Sequence, residues 1–126
     1  MGWSIGDGGF KIVLQATVPK MVDAHIREDV DRFLGRHGLT RADIGNWVCH
    51  TGGPKVLTAF KSALELDDEA LQLTWDSLQE VGNLSSASVL YVLRDTIAKR
   101  RPEPGTLGVM LAMGPGFCSE MVLLEW

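Results

Sequence analysis

Trp47-Val48-Cys49-His50-Thr51-Gly52-Gly53-Pro54-Lys55-Val56-Leu57 is the stretch that decides how this chain folds. Trp47-Val48-Cys49 reads as a short buried strand that runs directly into His50. The Gly52-Gly53-Pro54 turn then launches a helix, because proline suits a first helical turn, where its missing N–H is no loss. Val56, Leu57, Phe60 and Leu64 recur at helical spacing and give that helix one apolar face. A buried strand passing through a glycine turn into an amphipathic helix is an α/β unit, and the flanking sequence extends it.

Upstream, Phe10-Lys11-Ile12-Val13-Leu14 is short, rich in strand formers and bounded by Gly8-Gly9. Thr17-Val18-Pro19 opens a helix whose stripe is Val18, Met21, Val22, Ile26, Val30, Phe33 and Leu34, with Glu28 and Arg32 paired on its outer face and Gly35 and Gly38 at its end. Thr40 caps a short helical turn over Arg41-Ala42-Asp43.

Downstream, Asp67-Asp68 caps a helix with Leu71, Trp75 and Leu78 on one face, and Gly82-Asn83 breaks it. A new helix begins at Ser85-Ser86, carries Val89, Leu90, Leu93 and Ile97, and ends on Lys99-Arg100-Arg101, where cations suit the helix dipole, before Pro102 and Pro104. Two apolar strands close the chain, Leu107 to Met113 and Glu120 to Trp126, paired as neighbours across Gly114-Pro115-Gly116. The order strand, helix, strand, helices, strand, strand predicts an α/β fold with helices packed on a mixed sheet. The near-continuous apolar character of the closing strands is expected of a sheet covered on both faces.

The 126 residues suit one domain spanning 1–126. With 45% hydrophobic and 22% charged residues the composition is globular and not disordered. A net charge of -4 and a pI near 5.3 argue against a nucleic-acid partner. No apolar run approaches a membrane span and no signal peptide is recognisable, so a cytoplasmic location is expected. The two cysteines, Cys49 and Cys118, lack metal or redox spacing and both lie in apolar stretches, where reduced, buried thiols are expected. His25, His37 and His50 form no metal-ligand spacing.

Three places could carry chemistry. His50, at a strand end before a glycine turn, is either a hydrogen-bonded structural histidine or one that points into a cleft. Asn83, at the break between two helices, is by local rules a turn residue or cap, and its side-chain amide would equally serve as a neutral donor to an oxyanion. Gly114-Pro115-Gly116-Phe117 is a tight turn that would also leave room for a substrate.

Taken together, His50-Thr51-Gly52-Gly53-Pro54-Lys55-Val56-Leu57, Gly82-Asn83-Leu84-Ser85-Ser86-Ala87-Ser88-Val89 and Gly114-Pro115-Gly116-Phe117 resemble the C-terminal half of type III polyketide synthases, the chalcone synthase and alkylpyrone/alkylresorcinol synthase family. Gly2 to Val18 is similar to the segment entering that half. The resemblance implies a thiolase-like fold of two α/β halves, a homodimer, and a Cys-His-Asn triad. It places the catalytic histidine on His50 and the asparagine on Asn83, and the nucleophilic cysteine in an N-terminal half that these residues do not contain. Neither Cys49 nor Cys118 has the strand-to-helix setting that such a nucleophile requires. Many members have proline after the histidine, where this chain has Thr51. Ile12 stands near the gatekeeper position of the substrate cavity, and with Gly114, Pro115, Gly116 and Phe117 it forms the expected substrate pocket.

The implied reaction is iterative decarboxylative Claisen condensation of an acyl-CoA starter with malonyl-CoA, making alkylpyrones or alkylresorcinols. Coenzyme A thioesters enter as substrates, and no resident metal or redox cofactor is expected. Lys55 and Arg94 would either meet coenzyme A phosphates or lie on a solvated surface. An excised half is expected to be inactive alone and to expose apolar surface that leads to self-association. One rival is a ketoacyl-ACP synthase III-like condensing enzyme, which usually carries His-Gln-Ala-Asn where this chain has His50-Thr51-Gly52-Gly53. The other is a non-catalytic module that retains the fold.

Overall fold

The computed structural model describes residues 2–13, 16–114, 116 and 118–126, with Trp3 and Ile12 described by their backbone alone. The chain opens on a hairpin, β1 (Gly2–Gly6) and β2 (Gly9–Val13), antiparallel with Ile5 opposite Phe10. The sequence reading anticipated one strand there, from Phe10 to Leu14; β1 is an addition, and Leu14 lies outside the described residues. The missed signal was Asp7-Gly8, a two-residue turn of the kind that closes hairpins, with Gly9 at φ +95° completing the reversal.

Helix α1 (Val18–Gly35) begins with proline in its first turn and buries Val22, Ile26, Val30 and Leu34, a run of four-residue steps along one face. Met21, assigned to the same stripe, is exposed. On the outer face Arg32 bonds Glu28 at 2.6 Å, as their spacing predicts. The Thr40 turn closes as a capping box: Thr40 N–H and Oγ1 both donate to Asp43 Oδ2, each at 2.8 Å.

Strand β3 (Asn46–Cys49) pairs in parallel with β4 (Leu107–Gly114), which pairs antiparallel with β5 (Cys118–Glu125), giving a mixed sheet in the order β3-β4-β5. A parallel pair needs a long crossover, and helices α2 (Pro54–Leu64), α3 (Gln72–Val81) and α4 (Ser88–Lys99) supply it. Asp67 caps the short turn that leads into α3, accepting the Ala70 N–H at 2.8 Å.

The pleat of the sheet sorts its side chains into two cores. Trp47, Cys49, Val109 and Leu111 join α1 and α2 residues such as Ile26, Val30, Leu57 and Phe60. Val48 joins Val89 and Val92 of α4, with Met110, Ala112, Leu124 and Trp126 packed against them. Successive residues of β3 and β4 thus enter opposite apolar layers, which is why both strands read as unbroken hydrophobic runs.

Three expectations need correction. β5 is an edge strand with alternate residues exposed, Val122 among them, because α1 and α4 cover it only in part. Its first residue, Cys118, is accordingly exposed and not buried. On α4 the buried face is Ser88, Val89, Val92, Asp95 and Thr96, while Leu90 and Ile97 are 56% and 48% exposed. The buried polar groups on that face are satisfied locally. Thr96 Oγ1 donates to Val92 O at 2.9 Å, and the Asp95 carboxylate accepts from Lys99 Nζ at 2.9 Å and Arg94 Nε at 2.8 Å. These bonds, that from Lys99 foremost, hold the Asp95 carboxyl below its usual range. Arg94 also stacks on Tyr91, 4.7 Å from the ring centroid, so its charge is engaged by its own helix.

Candidate active site

His50 follows β3 by one residue. Its backbone N–H donates to Leu111 O at 2.9 Å, which carries the β3–β4 ladder one step past Cys49 and fixes the start of the loop. Gly52 N–H then folds back onto His50 O at 2.9 Å, a tight turn centred on Thr51. Gly53, at φ +119°, takes a conformation that L side chains rarely adopt and delivers the chain into α2 with Pro54 as its first residue. The His50 imidazole is half-buried, and desolvation by that burial pushes its pKa below the usual imidazole value, so the ring is neutral at pH 7.

Asn83 is built by a different device. Gly82 ends α3 at φ +73°, again a glycine conformation, and reverses the chain. The Asn83 carboxamide oxygen accepts the Ser85 N–H at 2.9 Å and the Ser88 hydroxyl at 3.4 Å. Ser88 Oγ in turn accepts the Leu84 N–H at 2.7 Å. This arrangement holds Ser85 in the left-handed region at φ +59°. Since a backbone N–H can pair only with the oxygen end, the carboxamide has one orientation: the oxygen is consumed by the turn and the amide nitrogen is left to donate. The cap reading and the donor reading of Asn83 therefore use different atoms of one group.

The two loops meet. Thr51, fully buried, directs its hydroxyl at Gly82 O, 3.5 Å away, so the residue after His50 touches the residue before Asn83. The closing turn lies at the same end of the sheet: Gly114 sits on β4 three residues beyond Leu111, facing Cys118 on β5. This is the carboxyl end of the parallel pair, where α/β sheets place their sites. Of that turn, Gly114 is half-buried and Gly116 exposed at φ +76°, while Pro115 and Phe117 lie outside the described residues. Ile12 lies on β2 opposite Trp3, and the expectation for its side chain also falls outside the description.

Cys49, beside His50 in sequence, faces the other way into the α1–α2 core. Burial pushes its thiol up to about 12, so it stays protonated and unreactive. A cavity of about 990 Å³ opens at the opposite end of β3, lined by Thr40, Arg41, Asn46 and Arg100 among others, and neither His50 nor Asn83 borders it. The sequence reading missed Thr51 and Ser88 as parts of the site. The signal for Ser88 was the Asn-x-Ser-x-x-Ser spacing, which suits an asparagine turn feeding a helix; Thr51 carried no local signal. Among the described residues no helix is long and apolar enough to cross a membrane.

Comparison with known proteins assigns the chain to a family and a fold. The family described as "Chalcone and stilbene synthases, C-terminal domain" matches residues 2–126. The chain is 58% identical to a 1,3,6,8-tetrahydroxynaphthalene synthase of Streptomyces peucetius subsp. caesius over 126 residues, all of this chain and 33% of that protein. It is 38% identical to a 3,5-dihydroxyphenylacetyl-CoA synthase of Amycolatopsis orientalis over 124 residues, 98% of this chain and 34% of the relative. The crystal structure of 1,3,6,8-tetrahydroxynaphthalene synthase from Streptomyces coelicolor A3(2), a bacterial type III polyketide synthase, superposes with a TM-score of 0.91 at 31% identity, over 98% of this chain and 35% of that one. The chain thus spans about a third of the length of the relatives it matches. It belongs to the chalcone and stilbene synthase family of type III polyketide synthases, whose C-terminal domain, with its thiolase-like fold, it represents.

Proposed function

We propose that this domain supplies the histidine and asparagine of a Cys-His-Asn condensing centre, and that the nucleophilic cysteine comes from an N-terminal half. The observation that carries this is the meeting of the two loops through Thr51 and Gly82, with Asn83 oriented to offer its amide nitrogen. In the complete enzyme the cysteine thiol would pass its proton to His50 and attack an acyl-CoA starter, releasing coenzyme A. Malonyl-CoA would then lose carbon dioxide. The resulting enolate carbon attacks the enzyme-bound thioester, and the tetrahedral oxyanion collapses by expelling the cysteine thiolate, leaving a β-ketoacyl-CoA. The His50 Nε2–H and the Asn83 amide are suited to hold the enolate oxygen, and Asn83 does so without titrating, where an aspartate would repel the developing charge. The thioester itself activates the carbon, so this chemistry calls for no resident metal or redox group. The working enzyme in this reading is a homodimer.

The relatives' names favour a hydroxylated aromatic product without a long alkyl chain, of the tetrahydroxynaphthalene or dihydroxyphenylacetyl kind, over the alkylpyrones or alkylresorcinols of a fatty acyl starter. The family match favours free malonyl-CoA as extender over malonyl carried on an acyl carrier protein. The test is to incubate the complete enzyme with malonyl-CoA alone and with malonyl-CoA plus starters of increasing length, and to identify products by mass spectrometry. An aromatic product from malonyl-CoA alone is expected. Activity only with malonyl-acyl carrier protein, or none with any thioester, would overturn the reading.

A further inference from the structure

We propose that Thr51 is a positioning residue: its buried hydroxyl ties the loop that carries His50 to the turn that carries Asn83, and so sets the spacing between imidazole and carboxamide. The inference rests, for its catalytic consequence, on the reading of His50 and Asn83 given above. Thr51 is fully buried, so its hydroxyl has no water to turn to, and Gly82 O is the acceptor it faces at 3.5 Å. Leaving a buried hydroxyl unpaired is costly, which gives this contact a direction even at that length.

The two loops are otherwise held from different sides. His50 is anchored to β4 through Leu111, and Asn83 is anchored to the start of α4 through Ser85 and Ser88. Among the described residues, the Thr51–Gly82 bond is the hydrogen bond that links them. Thr51 sits at the apex of the turn closed by Gly52 N–H and His50 O, so its Cβ direction is fixed by the same turn that sets the His50 backbone. A proline at this position, as many family members have, keeps the turn and loses the tether. This chain therefore couples its two loops by a hydroxyl that those members lack.

Two measurements test the tether. The chain has two asparagines, Asn46 and Asn83, so selective ¹⁵N-asparagine labelling of the full chain gives two side-chain amide pairs. In the wild type, a cross-relaxation contact between the Thr51 side chain and Gly82 is expected, and its absence overturns the proposal whether or not any variant folds. Thr51→Val should shift or broaden the Asn83 pair and leave Asn46 in place, and Thr51→Ser should restore the wild-type spectrum. An unmoved Asn83 pair in folded Thr51→Val overturns the proposal.

In the complete synthase, Thr51→Val should lower kcat on the order of tenfold to a hundredfold with KM for malonyl-CoA unchanged, as misplacement of one donor implies. The same substitution should have no further effect in an Asn83→Ala background. Additive losses, or a change confined to KM, overturn the positioning role. Full activity of Asn83→Ala sinks the catalytic reading instead, and the spectra of the Thr51 variants then decide the tether by themselves.

Discussion

The backbone amide of His50 donates to the carbonyl of Leu111 at 2.9 Å, one step past the last paired residue of β3. That bond anchors the histidine to the sheet as well as to its own turn, and the placement has consequences that can be measured.

Removing either donor should cost catalysis without unfolding the protein. In the complete enzyme, His50→Ala and Asn83→Ala are each expected to lower the condensation rate about 10²–10³-fold, the range for loss of one oxyanion donor. Asn83→Asp should do worse than Asn83→Ala, since it adds repulsion. Steady-state assays with malonyl-CoA decide the matter, and near-normal turnover by either alanine variant would remove that residue from the mechanism.

The His50 titration should depend on the other half of the enzyme. In this chain alone burial lowers the pKa from the ordinary 6.5. The unfolded chain then binds the proton more readily than the folded one, so stability should fall as pH drops below about 6.5 and level off below the folded value. A cysteine thiolate beside the ring favours the imidazolium and should raise the apparent pKa in the complete enzyme. Alkylating that cysteine should reverse the rise. NMR titration of histidine Cε1–H resonances reports both states; identical curves for chain and complete enzyme would count against the pair.

Much of this was legible in the sequence, for a physical reason. Where local and tertiary demands coincide, as in Trp47-Val48-Cys49 feeding the glycine turn, a strand buried on both faces leaves an unbroken apolar run and the helix start carries its proline. The reading failed where polar side chains are buried by bonding to neighbours. Ser88, Asp95 and Thr96 lie inside while Leu90 and Ile97 lie outside, an inversion that counting apolar residues cannot detect. His50 and Asn83 could be picked out, but the loops that carry them touch through Thr51 and Gly82, a pair distant in sequence that leaves no periodic trace.

The exposed apolar residues should make the isolated chain associate. Leu90 and Ile97 on α4, with Ile5 and Phe10 facing each other on the hairpin, are all about half exposed or more. Sedimentation velocity should show oligomers that grow with concentration, and the double substitution Leu90→Lys, Ile97→Lys should shift the distribution towards monomer. A strictly monomeric wild-type chain would contradict this.

Core truncation should be costly. Phe60 on α2 is fully buried in the core shared by α1, α2 and the sheet, and Phe60→Ala is expected to destabilise the chain by about 3–5 kcal/mol, read from urea denaturation. Asp95→Asn should cost about 1.5–3 kcal/mol, because hydrogen bonds to charged partners are lost from a buried site. The Asp95 contribution is present above the ordinary carboxylate range and fades as pH falls through the lowered value, so wild type and Asp95→Asn should converge in acid.

The two cysteines should separate cleanly under a thiol reagent. Cys118 should react in the native state and Cys49 only after unfolding, since one is exposed and the other buried with its thiol held protonated. Mass spectrometry of the labelled chain checks the order.

The rung that seats His50 spans about half of the chain, because all three crossover helices lie between His50 and Leu111 and are synthesised before Leu111 is. A nascent chain stalled before that point can hold α1 and α2 but has no β4 on which to rest its histidine. Seating of the His50 loop is thus tied to the synthesis of β4, and closing so long a loop makes it a late, entropically demanding event in folding.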